Sequence, residues 1–338
     1  MNDIHAVPPV LAADRARYAL LPQLQVLSAS GVDAVDFLHG QLTQDVRGLN
    51  ADAAALAGYC TAKGRLLATL VIWRPLVDVQ GDTEAPRVQA LVRADAAAPL
   101  LKRLGMFVLR AKVSLAIAPL QVAGVWSDGD TAGLEAAAGG PLPRAAWGRT
   151  DLPSGIWIAA PGGTAQRWWW IASAAQLQAC EANLDKVLQQ GDAAAWQAAD
   201  LAAGIPWVGT PTQDLFIPQT VNLDLVGGIS FTKGCYPGQE VVARSHYRGT
   251  VKRRMAYGIV AGHAGAAIAP GSDVYDATQP GEPCGRVVDA AGAPDAAVLF
   301  ETTLSSLSHG DLRLGSPEGP PIALRPLPYS LGEDGQQS

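Results

Sequence analysis

Residues 231–249 read FTKGCYPGQEVVARSHYRG. A single cysteine, Cys235, stands between two glycine-containing turns and is followed by a run of positive charge. Gly234 and Gly238 permit backbone conformations closed to other residues, Pro237 stiffens the loop, and Lys233 with the arginines that follow would favour the thiolate of Cys235. The same residues also suit a tight interdomain turn around an inert packed cysteine, because free cysteines commonly serve as small core residues. Charge adds a second signal. The chain carries a formal net charge of -6, yet residues 233–254 hold Lys233, Arg244, Arg248, Lys252, Arg253 and Arg254 against Glu240 alone, which leaves this segment at +5 and the rest at -11. An anionic ligand is the natural expectation, whereas the overall acidity argues against nonspecific nucleic-acid binding.

Around this stretch lie 338 residues, enough for two or three domains. Hydrophobic residues make up 49% and charged ones 17%, with 36 Gly and 24 Pro, the composition of a loop-rich globular protein. Fraying is expected only before about Ala13 and in the tail from Gly332. The N-terminus has acids and prolines where a signal peptide needs a basic start and an apolar run, and no segment approaches a membrane span of about 20 apolar residues. A cytoplasmic protein without membrane contact follows. Cys60, Cys180, Cys235 and Cys284 form no C-x-x-C pair, so neither a disulfide framework nor an intrinsic metal site is expected.

Residues 24–29 read as a strand, and Val35, Leu38, Leu42 and Val46 recur at helical spacing after it. Two strands join at Ala62-Lys63-Gly64, the second (66–73) apolar enough for burial on both faces. A strand at 87–93 leads to a helix through Leu104 that Asp95 can cap, and 106–119 offers two short strands. A second α+β set follows: strands at 155–160 and 167–173, a helix with Leu177, Cys180, Leu184 and Leu188 on one face, and a helix at 193–203 capped by Asp192 and ended by Gly204 and Pro206. Beyond Arg254, short strand-like runs separated by Gly, Pro and Asp predict a small β-barrel or sandwich, with the boundary near Gly249. The class is α+β, not a parallel doubly wound sheet.

The run GGISFTKGCYPGQEVVARSHYRG, preceded by FIPQTVNLD, resembles the signature of the YgfZ-type folate-binding proteins, relatives of the glycine-cleavage T-protein (aminomethyltransferase). FLHGQLTQDV from Phe37, TAKGRLLA from Thr61, VLRAKV from Val108, AAGIP from Ala202 and PLPYSL around Leu327 match in the same order, so the likeness spans nearly the whole chain. The resemblance implies two α+β subdomains within residues 14–249, with roughly 48–116 inserted in the other, then a C-terminal β-barrel over 250–331 and a disordered tail at 332–338, all around a central channel. It implies a tetrahydrofolate or other folate derivative, possibly polyglutamylated, and support for iron–sulfur enzymes, including those that thiolate tRNA. Client or assembly proteins would be the partners, while direct tRNA binding stays open. The motif cysteine matches Cys235, and Lys233, Gly234, Tyr236, Gly238, Gln239, Glu240, Arg244 and Arg248 fall on matching positions. Arg244, Arg248 and the Lys252-Arg253-Arg254 run would hold the folate carboxylates, though a solvated segment or a patch for tRNA or a partner protein also fits those charges.

Two departures from the family stand out. Where T-protein relatives carry acidic residues after the glycine hairpin, this chain has Leu67 and Ala68, which can neither accept a proton nor stabilise a cation, so a classical aminomethyltransferase is not expected. The glutamate that meets the pterin ring is replaced by Ala202. Of two tryptophans associated with folate, one matches Trp196 and the other falls on Leu24. Trp168-Trp169-Trp170 reads as strand packing, because alternate rings point to opposite faces. The five histidines show no ligand or dyad spacing, and His246 alone lies near the motif. An accessory factor for iron–sulfur assembly or repair is thus the leading expectation, and a folate-dependent one-carbon (aminomethyl) transferase the alternative.

Overall fold

A computed structural model of the chain describes residues 16–75, 87–163, 165–247 and 251–331. The first strand, β1 (Ala16–Leu20), leads into β2 (Leu24–Ser30), and a short helix, α1 (Ala34–His39), follows. The helical spacing of Val35, Leu38, Leu42 and Val46 predicts a longer helix. It ends at His39 because Thr43 turns its hydroxyl to the backbone: Oγ1 donates to the Gly228 carbonyl (2.6 Å) and accepts from the Gly58 N–H (2.7 Å), bonds that compete with a helical ladder. Leu42 and Val46 are buried all the same.

Next come β3 (Ala54–Cys60), β4 (Leu66–Trp73), β5 (Arg87–Arg93), α2 (Ala94–Gly105) and β6 (Ser114–Ile117). Strands β2 to β6 form an antiparallel sheet in the order β3-β4-β5-β2-β6. Leu70 and Ile72 of β4 face α1 and α2, while Leu66, Val71 and Trp73 face the central core, the two-sided burial that an unbroken apolar run predicts. Asp95 lies within the first turn of α2 instead of capping it, since the helix begins at Ala94. Only one of the two strands expected in 106–119 forms, because residues 106–113 turn and Leu109 takes a left-handed conformation (φ 40°).

The chain then adds β7 (Leu120–Ser127), α3 (Ala132–Ala138), β8 (Arg149–Leu152), β9 (Gly155–Ala159), β10 (Gln166–Ser173), α4 (Ala174–Leu184), β11 (Leu188–Gln190) and α5 (Ala193–Ala202). With β1 they build a second sheet, β11-β1-β7-β10-β9-β8, in which only the β1–β11 pair is parallel. Leu188 heads β11 instead of lying on α4. Strand alternation divides the tryptophans of β10: Trp168 and Trp170 pack under α3 and α4, while Trp169 enters the central core beside Trp147, Trp196 and Trp207. Asp192 caps α5 by accepting from Ala194 N–H, and Gly204 (φ 70°) ends it.

After an irregular stretch and α6 (Gln239–Tyr247), the C-terminal part contains β12 (Arg253–Val260), β13 (Asp273–Asp276), β14 (Gly285–Ala291), β15 (Ala296–Thr303), α7 (Leu304–His309), β16 (Leu312–Leu314) and β17 (Ala323–Arg325). These strands form a sheet ordered β16-β13-β14-β15-β12-β17. Residues 320–322 bond to β16 and the following β17 bonds to β12, so one piece of chain joins the two edges. Just beyond it, the Tyr329 hydroxyl donates to the Gly204 carbonyl (3.2 Å) and accepts from Asn222 Nδ2 (3.3 Å). The expectations for residues 1–13 and 332–338 lie outside the described residues.

Candidate functional site

The cysteine loop is held by the segment that follows α1. Gln44 Nε2 donates to the carbonyl of Gly227 (2.6 Å), and Ser230 N–H donates to that of Thr43 (2.9 Å). Lys233 then folds inward. Its ammonium donates to the carbonyls of His39 and Leu42 (2.8 Å for the latter) and lies 4.8 Å from the centre of the Tyr236 ring. Burial pushes its pKa down to about 8, Arg47 acts in the same direction, and Asp45 and Cys235 oppose. Lys233 is therefore an internal tie as well as a neighbour of the thiol.

Gly238 needs its glycine. Its φ is 81°, and a Cβ there would stand 2.4 Å from the Thr61 carbonyl oxygen and 2.6 Å from Gly64 Cα. Gly64 (φ 71°) is equally confined by Val241 and Gly238, so the hairpin between β3 and β4 and the start of α6 meet glycine to glycine. Gly234, by contrast, is not left-handed, and a Cβ there would make only an ordinary van der Waals contact, with His39 Nε2 at 3.8 Å. Between them, Cys235 is exposed and Tyr236 is buried. Of the other cysteines Cys60 and Cys180 are buried, Cys284 is half-buried, and burial pushes the Cys60 thiol up to about 12. Cys235 is thus the exposed thiol of the chain.

His39 is the residue the sequence did not place here. It ends α1, is buried, and its Nδ1 stands 3.1 Å from Asp45 Oδ1. Burial lowers its pKa, helped by Lys233 and Arg47 and opposed by Asp45. His246 is exposed and stacks on Phe231 at 3.8 Å.

Of the remaining expected residues, Gln239 and Glu240 begin α6, with Glu240 exposed, and Arg244 is exposed further along it. Arg248 lies outside the described residues. The basic run at 252–254 is largely committed inside the fold: Arg253 is paired bidentately with Glu301, and Arg254 with Asp224 at 2.7 and 3.0 Å. This corrects the expectation that those two arginines wait for a ligand. Lys252 stays exposed, as do Lys63 and Arg65 of the hairpin, where Arg65 donates to the Leu215 carbonyl (2.8 Å). A cleft of about 460 Å³ runs between Arg65, Leu215–Thr220 and the C-terminal sheet at Arg253, Glu282, Arg286 and Glu301.

Trp196 is a core side chain, 2% exposed. Arg167 covers its ring at 4.2 Å, Gly124 lies directly against it, and Trp126 is 6.0 Å away. The neighbouring carboxylate, Asp200, is taken up by Arg167 and by Trp207 Nε1 (3.2 Å). Leu67 is half-buried and Ala68 fully buried on β4, which leaves the hairpin without a carboxylate at those positions. Among the described residues no group of three or more His, Cys, Asp or Glu could hold a metal ion, and no helix is long and apolar enough to cross a membrane.

Three such sheets, with a glycine hairpin and a cysteine loop, make a mixed α+β fold that resembles that of an aminomethyltransferase. The fold matches the glycine cleavage system aminomethyltransferase T of Bartonella henselae with a TM-score of 0.66 at 14% identity, over 94% of this chain and 86% of that one. No protein-family model matches the chain. In sequence it is 33% identical to the tRNA-modifying protein YgfZ of Cronobacter sakazakii over 96% of this chain and 98% of that protein, and 31% identical to the YgfZ of Yersinia pseudotuberculosis over 97% of each. The chain belongs to the YgfZ family.

Proposed function

We propose that this protein is an accessory factor that supports iron–sulfur enzymes, those that modify tRNA by methylthiolation among them, on a folate-binding type of scaffold. The observation that carries this reading is the presentation of Cys235: an exposed thiol on a loop locked from behind by Lys233 and by the Gly64–Gly238 contact. A loop that only packed two layers together would bury its cysteine, as the chain buries Cys60 and Cys180. The names of the relatives support the link to tRNA modification. We read residues 14–249 as the folate-type region, with 48–116 inserted, and 250–331 as the C-terminal unit, around a channel, in the cytoplasm.

The residues present suit one end of a reduced folate. Lys63, Arg65 and Arg244, on the hairpin and helix that touch each other, have no carboxylate partner among the described residues and suit the glutamate or polyglutamate tail. The pterin end is not matched: Ala202 offers no acceptor, and Trp196 is closed off by Arg167 and Gly124. The folate assignment therefore rests on the tail, and no chemical step is routed through it. One-carbon transfer is the weaker reading, since Leu67 and Ala68 place no acid on β4.

The test is tRNA methylthiolation in a strain deleted for the gene and complemented with wild type or Cys235→Ala. Restoration by wild type alone is the expected result. If both restore it, the thiol has no part in the function.

A further inference from the structure

Nine large apolar side chains stand exposed among the described residues, and five of them gather in one region. Met106, Phe107 and Leu109 lie on the loop between α2 and β6, Ile117 ends β6, and Val32 sits on the turn to which this loop is tied. The tie is made by Lys112, whose N–H donates to Asp33 Oδ2 (2.7 Å) and whose carbonyl lies against Gly31. Leu109 is 88% exposed at a φ of 40°, a conformation that leucine rarely adopts. Single apolar residues scattered over a surface are ordinary, whereas a group of them marks a contact site. Met106 also lines a cleft of about 250 Å³ with Tyr59, Leu67, Leu100, Lys102 and Arg103, so a raised loop adjoins a recess. The charge here is one-sided. Between Asp95 and Asp128 the sequence holds Lys102, Arg103, Arg110 and Lys112 and no Asp or Glu, in a chain whose net charge is -6. Asp33, which does reach the loop, is spent on a backbone N–H.

We propose that this face docks an acidic segment of the client iron–sulfur enzyme, which seats an apolar side chain in the cleft and sets its carboxylates on Lys102, Arg103 and Arg110. Met, Phe and Arg are residue types that protein interfaces favour, and an apolar anchor in a pocket ringed by charge is how such interfaces concentrate their affinity. Complementarity of charge selects the partner and speeds its approach. A protein fits better than the other ligands such charges attract. A lipid surface would leave the cleft unfilled, and RNA would find one aromatic ring, Phe107, among the five exposed side chains. The docking face rests on the reading of the protein as an accessory factor, and it supplies a partner contact on elements other than the cysteine loop.

The test titrates the full chain into the purified iron–sulfur enzyme that methylthiolates tRNA in the same organism, with binding read by calorimetry. Leu109→Asp, a residue type that tolerates the left-handed backbone, and Arg110→Glu are each expected to keep a native circular dichroism spectrum and to weaken the complex about tenfold or more. The wild-type affinity is expected to fall as salt rises from about 50 to about 300 mM, and that of Arg110→Glu to fall less. Wild-type affinity in both variants overturns the proposal, as does the absence of any complex with wild type. Should one variant fail to fold, wild-type affinity in the other overturns it. Vesicles of phosphatidylcholine with phosphatidylglycerol, and unmodified tRNA, are tried in parallel: binding of either that Leu109→Asp abolishes gives the face to that ligand and overturns the protein partner. The two ideas fail separately. In the deleted strain, rescue of methylthiolation by Cys235→Ala sinks the functional reading, whereas rescue by Leu109→Asp and not by Cys235→Ala sinks the docking face alone.

Discussion

Burial decides what Lys233 does. From sequence it reads as a cation set beside a thiol, and its adjacency to Cys235 is legible; its two carbonyl partners, one of them on a residue 194 positions away, are not. The unfolded chain holds the Lys233 proton up to its ordinary 10.5, while the folded chain releases it near 8. Between those values the unfolded state binds more protons, so this group's contribution to stability rises with pH from 8 to 10.5 and is lost as pH falls through 8. In urea unfolding, the stability of wild type relative to Lys233→Met is expected to increase from pH 7.5 to 9.5, and a constant difference would contradict the buried placement. The Met variant also orphans two carbonyls, at a cost of about 1–3 kcal/mol. His39 is invisible for a related reason: no fixed spacing marks it, and only the bond from Lys233 to the end of α1 brings it against the loop.

Strands were the most legible elements, because the apolar run of β4 and the alternation in β10 state their own burial. Periodicity overstates the length of helix α1, since a threonine hydroxyl that bonds to the remote Gly228 has no periodic signature. The contact between the β3–β4 hairpin and the start of α6 makes a sharp prediction. In Gly238→Ala the new methyl would meet backbone atoms, which cannot swing aside, on a residue already at φ 81°. The expected loss is about 2–4 kcal/mol, read as a lower urea midpoint, and an unchanged midpoint would mean that the two glycines are not in contact.

For the molecule as a whole, charge was legible in amount and not in destination. The basic run before β12 looks like a ligand site until Asp224 and Glu301 arrive from 30 and 48 residues away to neutralise it. Arg254 joins the C-terminal sheet to the body through that ion pair and through the Gln219 carbonyl (2.9 Å). Asp224→Ala, which leaves a buried guanidinium without its counter-charge, is expected to cost about 3–5 kcal/mol; a change under about 1 kcal/mol in urea unfolding would show that water reaches the site. Tyr329 adds a constraint of another kind. It bonds to a carbonyl 125 residues earlier in the chain, so while a ribosome is still reading the codons before it, Gly204 and Asn222 wait without this partner. The N-terminal sheets can assemble during synthesis, but the seam between them and the C-terminal sheet is completed only after the segment carrying Tyr329 has left the exit tunnel.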